Sequence, residues 1–404
     1  MLINQTFEID SCDDVELGIK RTSKLEYRIS YDDEKDLKAI VFVIGGYGAN
    51  ANISFLDFDR EYIAKNFNVV AVHVFYHCFC ARISNNKKYS ASISFMEEDL
   101  LSLSKILLDF GINPQNLDCK NSTKYYELLN QHIITLKSQG KLAQNYQAKF
   151  TSTFIPPNGD YQNYGIMAAI DHINALKDLV KRFPEFADLP KIYGGGSYGG
   201  YLSLLIAKIA PWYVDGVIDN SGTVLPLLEC IIGKDLSRPE FFSDLNKLVG
   251  MFIKTYWTRE DERLSYFFTN ENYMIRSLLN SSHLTIQANI NKNIILVSYH
   301  SLKDPFNTAK DKQTLFLAYK ELGYDATLHL IKDESEIDGR FIKDLNHGMR
   351  IADKALFRKE LPLMLEKLQK RKSLMQENSI SYPCGNKVFT FKDVGDKFEL
   401  TIKD

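Results

Sequence analysis

The sequence predicts an α/β fold: a mostly parallel central sheet with helices on both faces, antiparallel N-terminal strands and helical insertions forming a cap. Three observations predict it. Near-continuous apolar runs rich in β-branched and aromatic residues recur along the chain, and such runs suit strands buried on both faces of a parallel sheet. Helical periodicity lies between several of them. In mid-chain a strand run meets a helix run across Gly195-Gly196-Ser197-Tyr198-Gly199, a serine set among glycines.

The first elements alternate apolar and polar residues at 7–10, 15–20 and 25–31, the pattern of antiparallel strands with one wetted face at the edge of the same sheet. Ile40-Val41-Phe42-Val43-Ile44 and Val69-Val70-Ala71-Val72-His73-Val74-Phe75 are the first central strands. Ile166, Ala169, Ile170, Ile173, Leu176 and Val180 then follow the i, i+3, i+4, i+7 spacing of a helix lying on that sheet. Lys191-Ile192-Tyr193 leads into the glycines, and Leu202, Leu204, Leu205, Ile206, Ala207 and Ile209 form the helix beyond them, stopped by Pro211. Gly216-Val217-Ile218, Ile294-Ile295-Leu296-Val297 and Thr327-Leu328-His329-Leu330-Ile331 complete the sheet. A closing helix is predicted over 352–369, with Pro362 as a site for a kink.

Two segments are too long for ordinary connections and imply folded insertions. The predicted division is therefore 1–80 for the N-terminal part of the sheet, 81–160 for a helical insertion with an amphipathic stretch at 96–110, and 161–221 for the core around Ser197. An aromatic-rich cap insertion over 222–290 follows, then a second core segment over 291–375 and a C-terminal β-hairpin over 376–404.

An apolar fraction of 45% in 404 residues is ample for a large core, as one α/β domain or two smaller ones. A net charge of -2 argues against a nucleic-acid partner or an anionic membrane surface. The first ten residues lack the basic and apolar regions of a signal peptide, and no run approaches a membrane span, so the expected location is cytoplasmic. Six scattered cysteines favour thiols over a disulfide framework. His77-Cys78-Phe79-Cys80 invites a metal reading but lacks a second ligand pair, and buried thiols at a strand end explain it better. Neither a metal nor a cofactor is expected, and the sequence leaves the oligomeric state open.

The strand, sharp turn and helix around Ser197 have the form of a nucleophile elbow, in which the positions two before and two after the serine must be small; Gly195 and Gly199 meet that demand. The rival is a dinucleotide loop built on Gly194, Gly196 and Gly199 with Asp215 or Asp219 as its acid, but the motif lies in mid-chain rather than after a first strand. A serine hydroxyl needs a base, and the base needs an acid to orient it. Asp304, in a loop after the 294–297 strand, and His347, between the last strand and the closing helix, stand in the order Ser, Asp, His. Taken singly, Asp304 before Pro305 also reads as a turn residue and His347 as a surface histidine. Asp219 competes as acid. His300 competes as base but more naturally lines a substrate pocket, as does Trp257 in the cap. An oxyanion needs N–H donors, expected from Tyr198 and from Ile44-Gly45-Gly46-Tyr47-Gly48-Ala49-Asn50, with Tyr47 first and Gly46 as the alternative.

These motifs resemble the α/β-hydrolase superfamily, and Gly195-Gly196-Ser197-Tyr198-Gly199-Gly200 looks most like the elbow of prolyl-oligopeptidase-type domains and related esterases. The resemblance spans about residues 35–370 apart from the insertions, and implies Ser197 as nucleophile, Asp304 as acid and His347 as base. The His-Gly usual in that family before the oxyanion donor is replaced by Gly45-Gly46, and the segment before Ile40 is too short for a β-propeller. The full chain resembles the DUF2920 type of bacterial proteins linked to flagellin-glycosylation loci, which implies a surface-sugar context. The expected function is a serine hydrolase cleaving an ester on a small molecule or glycan, such as an O-acyl group on a sugar or sugar nucleotide. The alternatives are a prolyl-oligopeptidase-type serine peptidase, an acyltransferase to a sugar hydroxyl, and a non-catalytic binding protein with a hydrolase fold.

Overall fold

The computed structural model describes residues 1–48, 53–242, 249–369, 371–373 and 375–404. The chain forms two units, one of Met1–Phe79, Asn163–Pro226 and Phe268–Asp404, the other of Cys80–Gln162 and Leu227–Phe267. In chain order come β1 (Leu2–Asp10), β2 (Lys24–Asp32), β3 (Ile40–Val43), α1 (Ile53–Phe67), β4 (Val70–Phe75), β5 (Ser92–Ser94), α2 (Glu97–Asp109), α3 (Ser122–Ser138) and β6 (Phe150–Ile155). They are followed by α4 (Ile166–Arg182), β7 (Lys191–Gly196), α5 (Tyr198–Ile209), β8 (Gly216–Asn220), β9 (Phe241–Phe242), β10 (Val249–Ile253), α6 (Asn270–Arg276) and α7 (Ser281–Ile290). The last are β11 (Ile295–Ser301), α8 (Ala309–Glu321), β12 (Asp325–Ile331), α9 (Asp353–Leu368), β13 (Ser379–Cys384), β14 (Lys387–Val394) and β15 (Lys397–Lys403).

In the first unit eight strands lie in the order β1-β2-β4-β3-β7-β8-β11-β12. The pairs β1/β2 and β2/β4 are antiparallel, and every pair from β4/β3 onward is parallel. The apolar runs of β3 and β8 are buried throughout because helices cover both faces. α1 and α9 pack together on one side, α4 and α5 on the other. Val41, Ala71, Ile192, Ile218 and Val297 of the sheet meet Phe357, Leu361 and Met364 of α9 in one core cluster. The parallel strands β3, β7, β8 and β11 all point to the same end of the sheet, so the loops leaving their C-terminal ends gather there.

The second unit is built from both insertions. β10, from the later one, pairs in parallel with β6 of the earlier one, giving a sheet of order β5-β6-β10-β9. Buried Asp99 at the start of α2 anchors this unit, accepting from Thr151 Oγ1 at 2.6 Å and Thr153 Oγ1 at 2.7 Å. Lys234 Nζ, from the other insertion, donates to Thr153 Oγ1 at 2.8 Å.

Four boundaries differ from the sequence reading. The 15–20 alternation is a tight turn rather than a strand. Asp14 and Ile19 form an isolated bridge, Asp14 Oδ1 accepts the N–H of Glu16 and of Leu17 at 3.1 Å each, and Gly18 takes φ +63°. The 81–160 insertion is mixed rather than helical, since β5 and β6 lie in it. Of 222–290 only Leu227–Phe267 belongs to the second unit, while α6 and α7 belong to the first. The tail is a three-stranded antiparallel meander, β13-β14-β15, not a hairpin. It is held to α4 by reciprocal bonds between the Asn174 side chain and the Phe398 backbone at 2.8 and 3.1 Å. Among the described residues no helix is long and apolar enough to cross a membrane.

Candidate active site

β7 ends at Gly196, and α5 begins at Tyr198. Ser197 between them has φ 55° and ψ -119°, a conformation costing an L-residue about 1–3 kcal/mol, which the surroundings must offset. They do so by close backbone packing. A Cβ on Gly195 would lie 1.9 Å from Ile44 O, and one on Gly199 2.0 Å from the same atom. Only glycine lets the end of β3, the strand β7 and the helix α5 meet at this point. The Ser197 N–H donates to Asn220 O at 2.7 Å, which locks the turn to the end of β8.

The structure brings Ser197, His347 and Asp304 together. His347 Nε2 lies 2.7 Å from Ser197 Oγ, and Nδ1 lies 2.8 Å from Asp304 Oδ2. The Asp304 side chain is fully buried, whereas the His347 side chain keeps 20% of its surface. Asp304 both shapes its own turn and reaches the imidazole. Its Oδ1 accepts the N–H of Phe306 at 2.9 Å and of Asn307 at 3.2 Å, leaving Oδ2 for the imidazole. Burial pushes the Asp304 carboxyl up, but the His347 bond and charge and the Phe306 N–H outweigh it, and the net shift is down. The arrangement can accept a proton from the serine, hold the imidazole with Nδ1–H toward the acid, and balance an imidazolium when one forms.

Tyr198, as the first residue of α5, has an N–H with no acceptor inside its own helix. The loop after β3 also reaches the serine, since a Cβ on Gly46 would lie 3.8 Å from Ser197 Cβ. The Tyr47 ring meets that of Tyr198 edge to face at 5.4 Å. Ala49 and Asn50, the end of the predicted oxyanion loop, lie outside the described residues.

The rival acids and the rival base are held in contacts of their own. His300 is fully buried behind the acid rather than lining a pocket, with Nε2 4.0 Å from Asp304 Oδ2 and 3.3 Å from Asn307 O. Burial and the Lys312 charge push it down to about 4, so it is neutral near pH 7 and a poor rival base. Asp219 lies under α5 rather than beside His347. Its Oδ2 accepts from Lys312 Nζ at 2.5 Å and from Ser298 Oγ at 2.6 Å, and its Oδ1 accepts the Gly222 N–H at 2.8 Å. Asp215, the other acid of the dinucleotide reading, accepts the Lys191 N–H at 2.8 Å. Trp257 belongs to the second unit, where its main-chain N–H donates to Thr255 Oγ1 at 3.1 Å. Among the described residues no group of three or more His, Cys, Asp or Glu is placed to hold a metal ion. Asp219→Ala is expected to cost about 3–5 kcal/mol in urea unfolding, because it leaves the fully buried Lys312 ammonium without its counter-charge.

Residues 5–402 match the family described as "Protein of unknown function (DUF2920)". The chain belongs to the DUF2920 family. No curated protein matches it. Among solved structures it is similar to the acylaminoacyl peptidase of Pyrococcus horikoshii, at 12% identity and TM-score 0.43 over 93% of this chain and 43% of that one. It is also similar to a Mycobacterium tuberculosis puromycin-hydrolyzing peptidase, at 14% and 0.45 over 90% and 39%. A third is brefeldin A esterase, a bacterial homologue of human hormone sensitive lipase, at 13% and 0.41 over 91% and 74%. This DUF2920 chain thus spans less than half the length of the two peptidases. Its fold, with the parallel sheet and the elbow between β7 and α5, is that of the α/β-hydrolases.

Several residues around the DUF2920 site escape a sequence reading. Phe306 is 60% exposed, and its ring stands edge to face against the His347 imidazole at 5.2 Å. Asn307 ties the acid turn to the residue that follows β8, donating from Nδ2 to Ser221 O at 3.1 Å, and the Asp304-to-Asn307 spacing was a detectable sign of that turn. Asp353, the first residue of α9, accepts the Gly196 N–H beside the nucleophile; burial and the Asp59 carboxylate push it up to about 7 against that bond.

An unfolded aspartate ionises near pH 4, while folded Asp353 holds its proton to about pH 7, so it erodes stability as pH rises between those values. Asp353→Asn keeps an acceptor for Gly196 and removes the titration. Its melting temperature should equal or trail wild type near pH 4 and gain on it up to about pH 7, then hold a constant lead. Parallel curves in thermal unfolding across that range would contradict this.

Proposed function

We propose that this DUF2920 protein is a serine hydrolase that cleaves a carboxylic ester through an acyl-Ser197 intermediate. The observation that carries the reading is the unbroken chain from Asp304 Oδ2 through the His347 ring to Ser197 Oγ, at 2.8 and 2.7 Å, on a serine held at φ 55°. As Oγ attacks the ester carbonyl, His347 Nε2 takes its proton. The carbonyl electrons move to oxygen, where the Tyr198 N–H and a donor from Gly46 or Tyr47 would receive the charge. Collapse breaks the bond to the alcohol oxygen, and His347 returns the proton to that leaving alkoxide. Water then repeats the sequence on the acyl-enzyme, releasing the acid and restoring Ser197. Asp304 stays ionised throughout and balances the imidazolium.

The finer reading is that the ester is an O-acyl group on a sugar or sugar nucleotide, which rests on the glycosylation context that the resemblance implies. We place the activity in the cytoplasm, on the scattered thiols; cell fractionation tests this. The direct test is a panel of acyl esters, acetylated sugars and aminoacyl anilides, with alcohol release followed in the first turnover. A burst of alcohol equal to the enzyme present is expected, with esters cleaved faster than anilides. Preference for anilides would favour a peptidase, and transfer of the acyl group to an added sugar hydroxyl would favour an acyltransferase. Folded protein that turns over nothing would favour a binding role.

A further inference from the structure

The loop that carries His347 has an unusual backbone. Gly348, Met349 and Arg350 have φ of 73°, 50° and 51°, three left-handed residues in succession directly after the candidate base. Each such L-residue costs roughly 1–2 kcal/mol, so the turn persists only if its surroundings hold it. Met349 is fully buried in the core cluster, which fixes the turn from below. Two side chains from strand ends hold it from the site's side. Ser301 Oγ, at the end of β11, donates to Leu345 O at 2.6 Å, and Asn220 Nδ2, at the end of β8, donates to Gly348 O at 3.0 Å. These two carbonyls flank His347.

Asn220 does more than Ser301, because its own carbonyl accepts the Ser197 N–H at 2.7 Å. One buried residue therefore grips the nucleophile through its main chain and the base loop through its side chain. The next residue, Ser221, binds the acid turn through Asn307. We propose that Asn220 is a positioning residue that sets the His347 imidazole against Ser197, an inference that rests on the serine-hydrolase reading of the site. Its Nδ2 donor holds the strained turn in the one register that places Nε2 within hydrogen-bond reach of Oγ.

Asn220→Asp keeps the shape and the main-chain acceptor but replaces the N–H donor with an oxygen facing Gly348 O; Asn220→Ala removes the contact altogether. Two readouts are taken on each variant. The first is the NMR signal of the His347 ring, read without any substrate, which should shift and broaden in both variants while the near-UV dichroism of the protein is unchanged. The second is the rate of fluorophosphonate attachment to Ser197, expected to fall about 10- to 100-fold, the scale for a displaced catalytic group. In a His347→Ala background the Asn220 substitutions should cost nothing further, since they act through the base. Unchanged ring signals, an equal loss in the His347→Ala background, or failure of both variants to fold overturns the proposal. If wild type itself takes no label, the hydrolase reading fails, and the ring signal still decides whether Asn220 positions His347.

Discussion

Ser197→Ala is expected to lower kcat on a cleaved ester by roughly a million-fold, the scale for removing a serine nucleophile, with the fold intact. The substitution removes one oxygen and leaves the rest of the site as it is. The 2.8 Å bond from His347 Nδ1 to Asp304 does not involve the serine, and the Ser197 N–H that binds Asn220 O belongs to the main chain. Alanine meets the same left-handed strain at φ 55°, so stability should move little. The check is kcat measured with unfolding curves on the same preparation. A variant that retains a tenth of the activity would show that another group attacks the substrate.

Gly199→Ala is expected to harm the fold severely. Its Cβ would lie 2.0 Å from Ile44 O, 2.8 Å from Ile44 C and 3.1 Å from Gly45 O, all backbone atoms. No rotamer change relieves a backbone clash, so either α5 or the end of β3 must move, against packing that tolerates little displacement. A loss above about 4 kcal/mol is expected, the range reserved for core overpacking and strain. The crowded atoms begin the loop that carries Gly46 and Tyr47, so any protein that still folds should also hydrolyse poorly. Gly46→Ala is the control, since its Cβ would meet only ordinary contacts at 3.6 and 3.8 Å. Urea unfolding of the two variants tests this; equal stability would contradict the packing account.

The same glycines explain why so much was legible in the sequence. A strand end, a turn and a helix start that touch one carbonyl leave no choice of residue at Gly195 and Gly199, and that demand is visible without coordinates. The buried parallel strands were equally visible, because burial on both faces leaves continuous apolar runs. The order Ser197, Asp304, His347 was readable because the loops after the parallel strands β7, β11 and β12 follow one another in the chain and leave the same end of the sheet.

What was not legible depends on contacts remote in sequence. The pairing of β10 with β6 joins the two insertions, and no local pattern announces it. The 15–20 segment alternated like a strand, yet the two N–H bonds to Asp14 and the φ of Gly18 turn it back on itself. His300 looked available for substrate, but β11 is buried to its last residue. Asn220 carried no signal at all, since its importance lies in what approaches it from Ser197 and Gly348.

The central claim is that Ser197 is a nucleophile activated by His347, and covalent capture tests it most directly. Folded wild-type protein treated with a fluorophosphonate should gain one adduct by intact mass, mapped by peptide analysis to Ser197, absent in Ser197→Ala and much slower in His347→Ala. Folded wild type that gains no adduct, or an adduct on another residue that persists in Ser197→Ala, would contradict the account.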